Sequence, residues 1–192
     1  MSKQGGLSFY KRRKKISAKT IREILSWLFG ILTAVFFAVV LVYLFGMTTN
    51  VVGVSMMPGL QAEQGIMVDR FRYVLTQPKR GDVVLFLPNG NENSHYYTKR
   101  VVARPGDTII IENGVCYVNG TPSEYVTEKV YDAGIASSEM TLKTGEYFVL
   151  GDDPSSSEDS RSANIGPVQE KYIVGKVWLA LRQGESKMHF VK

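Results

Sequence analysis

The chain has 192 residues, of which 44% are hydrophobic, and it carries a formal net charge of +5. This length suits one domain with a buried core and excludes an array of several large domains. The single cysteine, Cys116, excludes an internal disulfide, and we expect it to serve in packing.

The positive charge is concentrated before residue 24. Eight lysines and arginines and one acid, Glu23, lie there, which leaves 15 basic and 17 acidic residues in the rest of the chain. The remainder is therefore slightly acidic, and we expect no nucleic-acid partner. We predict a basic cytoplasmic segment over residues 1–23.

Residues 24–47 form an apolar run without a charged side chain. A helix of this length spans about 36 Å at ~1.5 Å per residue, which is enough to cross a hydrocarbon core of roughly 30 Å. We therefore predict one transmembrane helix over 24–47 in the plasma membrane. The excess of lysine and arginine before it predicts a cytoplasmic N-terminus and an extracytoplasmic remainder. A cleavable secretory signal is the alternative, although its apolar stretch is usually only about 7–15 residues long.

Residues 48–183 are predicted to form one extracytoplasmic β domain. No long stretch has helical periodicity, whereas short runs rich in Val, Ile, Tyr and Phe predict strands. These runs cover residues 82–86, 96–103, 108–111, 115–118, 146–150 and 173–181. Asn-Gly pairs at 89–90, 113–114 and 119–120 predict hairpin turns, and hence a mainly β fold of antiparallel sheets. The tail over 184–192 is polar, and we expect it to be mobile.

Ser55 and Lys99 are the residues that point to chemistry. Ser55 lies eight residues beyond the apolar run. Strand alternation places Tyr97 and Val101 on the same face as Lys99, and no acid lies two residues from the lysine. A lysine held among apolar groups loses hydration, which lowers its pKa and lets the free amine act as a base. On pattern alone, an exposed strand lysine is the alternative.

The two histidines, His95 and His189, give little support for another kind of site. They lie far apart, and no His/Cys cluster has metal-ligand spacing, so we expect neither a metal nor a cofactor. A Ser-His-Asp triad with Ser55 and His95 can be assembled on paper because triads are geometric and not sequential. Nothing local supports it.

Four segments carry a resemblance to a known family. They are GVSMMPGL at 53–60, RGDVVLF at 80–86, KRVVARPGD at 99–107 and GDDPSSSEDSR at 151–161. In this order they resemble the conserved boxes of type I bacterial signal peptidases, and the small size resembles the Gram-positive members. The resemblance runs from the anchor to about Leu181. It implies the antiparallel β fold shared with repressor-type proteases, with residues 108–145 as a small cap insertion.

The resemblance implies a membrane-anchored serine endopeptidase with a Ser/Lys dyad. Such enzymes cleave N-terminal signal peptides from exported preproteins after small residues, as in A-x-A, at the membrane surface and near the export translocon. Ser55 would be the nucleophile and Lys99 the general base, acting through an acyl-enzyme. The backbone N–H of Ser55 would be one oxyanion donor. The second donor of Gram-negative members is a side-chain hydroxyl at the position of Gly53, which has none.

The family match also implies supporting and substrate-binding residues. Ser157 would orient the lysine amine, Asp159 and Arg161 would form a structural ion pair, and Asp152 would support the same region. Composition alone favours a solvated polar loop there. The substrate would bind as an extended strand in a cleft lined by Met56, Met57, Asp82, Val83, Val84, Leu85, Phe86, Leu87 and Tyr97.

Two other functions stay open. One is a self-cleaving protease of the repressor type, which would use the same Ser/Lys fold but normally carries a DNA-binding module in place of an anchor. The other is a catalytically silent anchored domain that only binds a partner. Absence of Ser55 or Lys99 would indicate the silent domain, and both residues are present.

Overall fold

The structure is a computed structural model that describes residues 17–155, 158–184 and 186–191. The chain divides into two compact units, one ending at Val40 and the other beginning at Leu41. Most of the predicted basic segment, up to residue 16, lies outside the described residues.

The apolar run forms a long helix, α1, over Ala18–Phe45. It begins six residues before the predicted start because Ser17 caps it, its side-chain oxygen accepting a hydrogen bond from the Lys19 N–H at 3.3 Å. Within the described residues, Ala18–Tyr43 is the one helix long and apolar enough to cross a membrane. Its apolar side chains are largely exposed, as expected of a segment whose solvent is lipid.

The second unit consists mainly of antiparallel strands, which confirms the predicted fold class. The strands of the main sheet are β1 (Met47–Asn50), β2 (Gly65–Asp69), β3 (Val83–Phe86), β4 (Tyr97–Ala103), β9 (Glu146–Leu150), β10 (Val168–Gln169), β11 (Ile173–Ala180) and β12 (His189–Phe190). Those of the second sheet are β5 (Thr108–Glu112), β6 (Val115–Val118), β7 (Thr121–Pro122) and β8 (Met140–Thr141). A short helix, α2 (Arg72–Leu75), follows β2.

The main sheet has the order β1-β2-β11-β3-β4-β9-β10, and β12 also pairs with β11. Strands β3 and β4 therefore lie inside the sheet, whereas β1 lies at its edge. The smaller sheet has the order β7-β6-β5-β8. It packs on the end of β4 and β9, where Ile109 and Cys116 share one core with Val102, Phe148 and Leu150. The predicted cap is thus a sheet without a core of its own.

The six predicted strands all occur, with bounds that differ by a residue or so. Two of the three predicted hairpin turns also occur: Asn113 and Asn119 have φ of 52° and join adjacent strands through the following glycines. The pair at 89–90 lies instead in a 3₁₀ turn, Pro88–Gly90, within a longer connection between β3 and β4.

The C-terminal tail corrects our expectation of mobility. His189 and Phe190 form β12, which pairs with Ala180 and Leu179 of β11. The Val191 N–H donates to the Trp178 carbonyl at 3.0 Å, and Val191 packs against a core cluster of the main sheet. Short tails of this kind carry no periodicity from which pairing can be predicted.

Candidate active site

Lys99 is placed by β4, an interior strand. It lies opposite Val84 of β3, and Val84 belongs to one core cluster with Val101, against which Tyr97 packs. The predicted sharing of one face by Tyr97, Lys99 and Val101 agrees with this packing. The lysine is only 3% exposed, so its long side chain runs through apolar surroundings before it reaches a polar group.

Ser55 lies in a tight turn region after β1. The region is held by side chains buried in one core cluster, among them Val51, Met56 and Leu60. Ser55 itself is 4% exposed. Its carbonyl accepts a hydrogen bond from the Asp153 N–H at 2.9 Å, which joins the Ser55 turn to the loop after β9.

Ser55 and Lys99 meet although 44 residues separate them. The Lys99 Nζ lies 2.6 Å from the Ser55 Oγ, a short hydrogen bond inside the protein. No carboxylate of the described residues forms an ion pair with Lys99. Burial lowers the pKa of the Lys99 ammonium to about 8, although the charges of Asp159 and Glu158 oppose the shift. A substantial fraction of the amine is therefore neutral at mildly alkaline pH.

The surroundings of Ser55 offer a donor for negative charge. Among the described residues, no acceptor takes the Ser55 backbone N–H, which leaves it available to a ligand. Gly53 adopts φ of +78°, the left-handed region that favours glycine. The absence of a hydroxyl at position 53 thus coincides with a backbone conformation that other residues rarely adopt.

Asp159 and Arg161 form a buried ion pair whose charges act on Lys99. The guanidinium donates to both carboxylate oxygens, at 2.9 and 2.8 Å, and the two side chains are almost fully inaccessible to solvent. Arg161 also donates to the Asp132 carbonyl at 2.9 Å, so the pair connects this loop to the cap. Ser157, the predicted partner of the lysine amine, lies outside the described residues.

Asp152 forms an ion pair with Arg100, the residue that follows Lys99 on β4. The Arg100 guanidinium binds it through two hydrogen bonds of 2.7 and 2.8 Å and also donates to the Gly81 carbonyl. Arg100 follows Lys99 on β4, and Asp152 precedes Asp153, whose N–H holds the Ser55 carbonyl. One ion pair thus links the strand of the lysine to the loop that holds the serine.

The expected substrate lining needs correction for the residues of β3. Its side chains, from Val83 to Phe86, are fully buried, and both of its edges are paired, one with β4 and the other with β11. Met56 is also buried in the core. The residues of β3 therefore have no free backbone edge to offer a peptide. Sequence could not reveal this, because an apolar run has the same pattern in a core as in a cleft.

The other members of the expected lining differ among themselves. Met57 is exposed, and Tyr97 is half-buried with its ring against Phe86. The half-buried Leu87 donates its N–H to the Tyr172 carbonyl at 3.0 Å. Asp82 accepts hydrogen bonds from the Tyr73 hydroxyl and the Lys79 N–H and pairs with Lys176. Asp82 therefore has a structural role.

A groove that sequence reasoning predicted only in part, through Tyr97, lies beside two open strand edges. Its volume is about 530 Å³, and it is lined by Thr49, Asn50, Val52, Ser94, His95 and Tyr96. Within the described residues, β1 pairs with β2 alone. The first residues of β4, Tyr97–Lys99, pair with β3 alone, because the pairing of β9 with β4 begins at Arg100. The polar run that forms β1 gives no strand signal, so this edge of the groove could not be found from sequence.

Known proteins resemble this chain in sequence. The family model described as "Signal peptidase, peptidase S26" matches residues 24–181. Signal peptidase I P of Bacillus subtilis subsp. natto is 35% identical over 177 residues, covering 87% of this chain and 91% of its own. Signal peptidase IB of Staphylococcus aureus (strain COL) is 33% identical over 174 residues, covering 81% and 88%.

Among solved structures, a signal peptidase I from Enterococcus faecalis V583 is 26% identical to this chain. The match covers 53% of this chain and 97% of that one, with a TM-score of 0.39. The family assignment rests on the family model, which matches most of the chain, and on the two relatives. This chain belongs to the signal peptidase family, peptidase S26.

Proposed function

We propose that this protein is a serine endopeptidase that removes N-terminal signal peptides from exported preproteins, with Ser55 as nucleophile and Lys99 as general base. The observation that carries the proposal is the 2.6 Å hydrogen bond between the Lys99 Nζ and the Ser55 Oγ. Both groups are buried, and the lysine has no acidic partner among the described residues. The relatives named as signal peptidases favour preproteins as the substrate class.

The chemistry follows from one proton moving between two side chains. The neutral amine of Lys99 accepts the hydroxyl proton while the Ser55 Oγ attacks the scissile carbonyl carbon. When the tetrahedral intermediate collapses, the ammonium returns this proton to the leaving amine of the mature chain. Water then attacks the acyl-enzyme ester and gives its proton to the Lys99 amine, and the resulting ammonium protonates the Ser55 oxygen as it leaves.

The negative charge of the intermediate needs donors that are already in position. The free N–H of Ser55 supplies one of them. Since Gly53 has no side chain, the second donor in this protein is a backbone N–H or a water molecule. The Arg100–Asp152 and Asp159–Arg161 pairs keep the surrounding loop in place without touching the reacting atoms.

The signal peptide is bound as an extended strand in the groove described above. The unpaired edges of β1 and of Tyr97–Lys99 supply backbone hydrogen bonds, which accept any sequence. Selectivity then depends on the space beside the strand. Small residues of the A-x-A type fit where the half-buried Tyr96 and Tyr97 crowd the peptide.

Membrane anchoring brings enzyme and substrate to the same surface. α1 crosses the plasma membrane with the basic N-terminus in the cytoplasm, and the β domain lies outside. The anchor contacts the lipid bilayer, and the export translocon releases preproteins nearby. A signal peptide held in the bilayer then presents its cut site close to Ser55, which lies a few residues after the end of β1.

The proposal is tested with the purified full chain in detergent and a preprotein carrying an A-x-A site. We expect cleavage after this site and a loss of at least about 10³-fold in kcat for Ser55→Ala and for Lys99→Ala, because each removes a reacting group. Mass spectrometry of both products locates the cut.

Matched controls are Ser138→Ala and Lys143→Ala, which remove the same side chains from exposed positions of the cap region. Both should retain normal activity. Full activity of Lys99→Ala would rule out the dyad, and a wild-type chain that cuts no preprotein would favour the silent binding domain. Cleavage confined to its own chain would favour the repressor-type alternative.

A further inference from the structure

The segment that carries Ser55 is a closed loop. The Val51 N–H donates to the Gln64 carbonyl at 2.9 Å, and the Glu63 N–H donates to the Val51 carbonyl at 2.8 Å. Residues 51–64 therefore leave the main sheet after β1 and re-enter it at β2 with their two ends in contact. We call these residues the Ser55 loop and this pair of hydrogen bonds its neck.

Gln64 is a buried polar residue at the neck, and its side chain is inaccessible to solvent. Its Oε1 accepts a hydrogen bond from the Gln61 N–H at 2.9 Å. Its Nε2 donates to the Leu181 carbonyl at 2.8 Å and to the Ser186 Oγ at 3.3 Å. Because a carbonyl only accepts and a backbone N–H only donates, these partners fix the orientation of the amide.

These contacts join the Ser55 loop to the residues that follow β11. The Leu181 N–H donates to the Gly65 carbonyl at 2.8 Å, directly after the neck. The Gln183 Nε2 donates to the Ala62 carbonyl at 3.2 Å. Residues 181–186 therefore hold the neck from outside the loop, mainly through the two side-chain amides.

We propose that Gln64 is a positioning residue for the reaction, whose amide contacts keep the Ser55 Oγ within hydrogen-bond reach of the Lys99 Nζ. The loop also packs through Met56 and Leu60, but apolar packing is not directional, whereas the hydrogen bonds of a buried amide are. The inference rests on the proposed function. Misplacement of a reacting group by about 1 Å costs on the order of 10²-fold in rate, so the position of the neck matters to the dyad.

The test replaces the Gln64 amide with groups of similar length. Gln64→Met removes its hydrogen bonds, and we expect kcat for preprotein cleavage by the full chain in detergent to fall about tenfold. KM should change less than twofold, because the nucleophile moves and the substrate groove does not. Gln64→Glu should lower kcat further, because a carboxylate oxygen would then face the Leu181 carbonyl.

Two control variants separate positioning from a general loss of stability. Gln169→Met makes the same exchange on β10, at the far edge of the main sheet, and should keep normal kcat. Val118→Ala removes apolar volume from the core under the cap, away from the Ser55 loop. It should lower the midpoint of chemical denaturation but keep its kcat under conditions in which circular dichroism shows it to be folded.

A second measurement does not depend on proteolysis. The pH dependence of alkylation by iodoacetamide gives the pKa of the thiol introduced by Ser55→Cys, and a nearby Lys99 ammonium lowers this pKa. Adding Gln64→Met should raise it, so that the thiolate fraction at pH 7 falls about threefold. The native Cys116 is buried, and burial raises the pKa of its thiol to about 12, so it does not compete for the reagent.

Unchanged kcat in a folded Gln64→Met variant would overturn the proposal, as would an equal loss of kcat in Val118→Ala. An unchanged pKa of the introduced thiol would overturn it even if kcat fell, because position 55 would then not have moved relative to Lys99. A wild-type chain that cuts no preprotein, together with a thiol pKa that responds to Gln64→Met, would show instead that the proposed function fails while the positioning role stands.

Discussion

At the scale of single residues, the burial of Lys99 decides whether it can act as a base. An exposed lysine is protonated at neutral pH and has no lone pair to offer. Its position opposite Val84 removes water from the ammonium, while the nearest acids, Asp159 and Glu158, lie too far away to pair with it. Strand alternation predicted the apolar face of Lys99. The approach of Ser55, across 44 residues of sequence, required the family resemblance.

The lowered pKa of Lys99 predicts the pH dependence of cleavage. The amine is active when deprotonated, so kcat/KM should rise with pH and level off above an apparent pKa of about 8. The measurement is a pH profile of preprotein cleavage by the full chain in detergent. A rising limb centred near 10.4, the value of free lysine, would mean that Lys99 is solvated during the reaction.

Gly151 is a second residue whose role is steric. A Cβ built on it would lie 2.5 Å from the Ser55 carbonyl oxygen, closer than real Cβ atoms approach such an oxygen. Gly151→Ala should therefore displace the Ser55 turn and reduce kcat by about tenfold or more, since sub-ångström misplacement of a nucleophile is costly.

The matched control for Gly151→Ala is Gly30→Ala, because an added Cβ on Gly30 meets no atom within 4 Å. Cleavage rates and circular dichroism spectra of both variants separate loss of alignment from loss of fold. Unchanged kcat in a folded Gly151→Ala variant would contradict the steric role.

At the scale of elements, strands with a dense hydrophobic pattern could be predicted and short polar ones could not. β4 and β9 are rich in β-branched and aromatic residues, a local pattern that predicts a strand. β1, with the sequence Met-Thr-Thr-Asn, is a strand only because β2 pairs with it. Pairing partners that are distant in sequence leave no local signal, which is why β1 and β12 were missed.

The C-terminal strand predicts a cost of truncation. Removing residues 185–192 takes away the β12 pairing with β11 and the contact of the His189 ring with the Gly59 carbonyl, at 3.2 Å. We expect a stability loss of about 1–2 kcal/mol from the uncovered apolar surface and a lower kcat, because Gly59 lies in the turn region of Ser55.

Chemical denaturation and cleavage assays of the truncated chain measure the two effects. Met188→Ala is the control, because this exposed side chain belongs to the same tail but not to β12. A truncated chain with wild-type stability and activity would show that the tail is dispensable.

At the scale of the whole molecule, the short connection between α1 and the β domain matters most. α1 ends at Phe45 and β1 begins at Met47. Ser55 is ten residues beyond Phe45, so its distance along the chain from the end of α1 is at most about 36 Å at ~3.6 Å per residue. A tether this short would keep the proposed nucleophile at a high effective concentration near other membrane-held segments.

Lengthening this tether should therefore affect cleavage of a membrane-embedded substrate but not cleavage of a soluble one. Inserting about ten Gly/Ser residues between Gly46 and Met47 should lower cleavage of a preprotein embedded in vesicles several-fold, because effective concentration falls with linker length. Cleavage of a short water-soluble peptide should not change. The control carries the same linker at the C-terminus. Equal loss on both substrates would indicate damage to β1.

The unpaired edge of β1 also affects which strands stay bound long enough to be cut. An unpaired strand edge is a general hazard, because it can pair with the edge of any other chain and start aggregation. Here the edge is four residues long and mostly polar, which is too little to hold a passing strand by itself. A strand without a membrane segment would therefore dissociate more often than it is cut, whereas a strand kept in place by its own membrane segment would stay long enough.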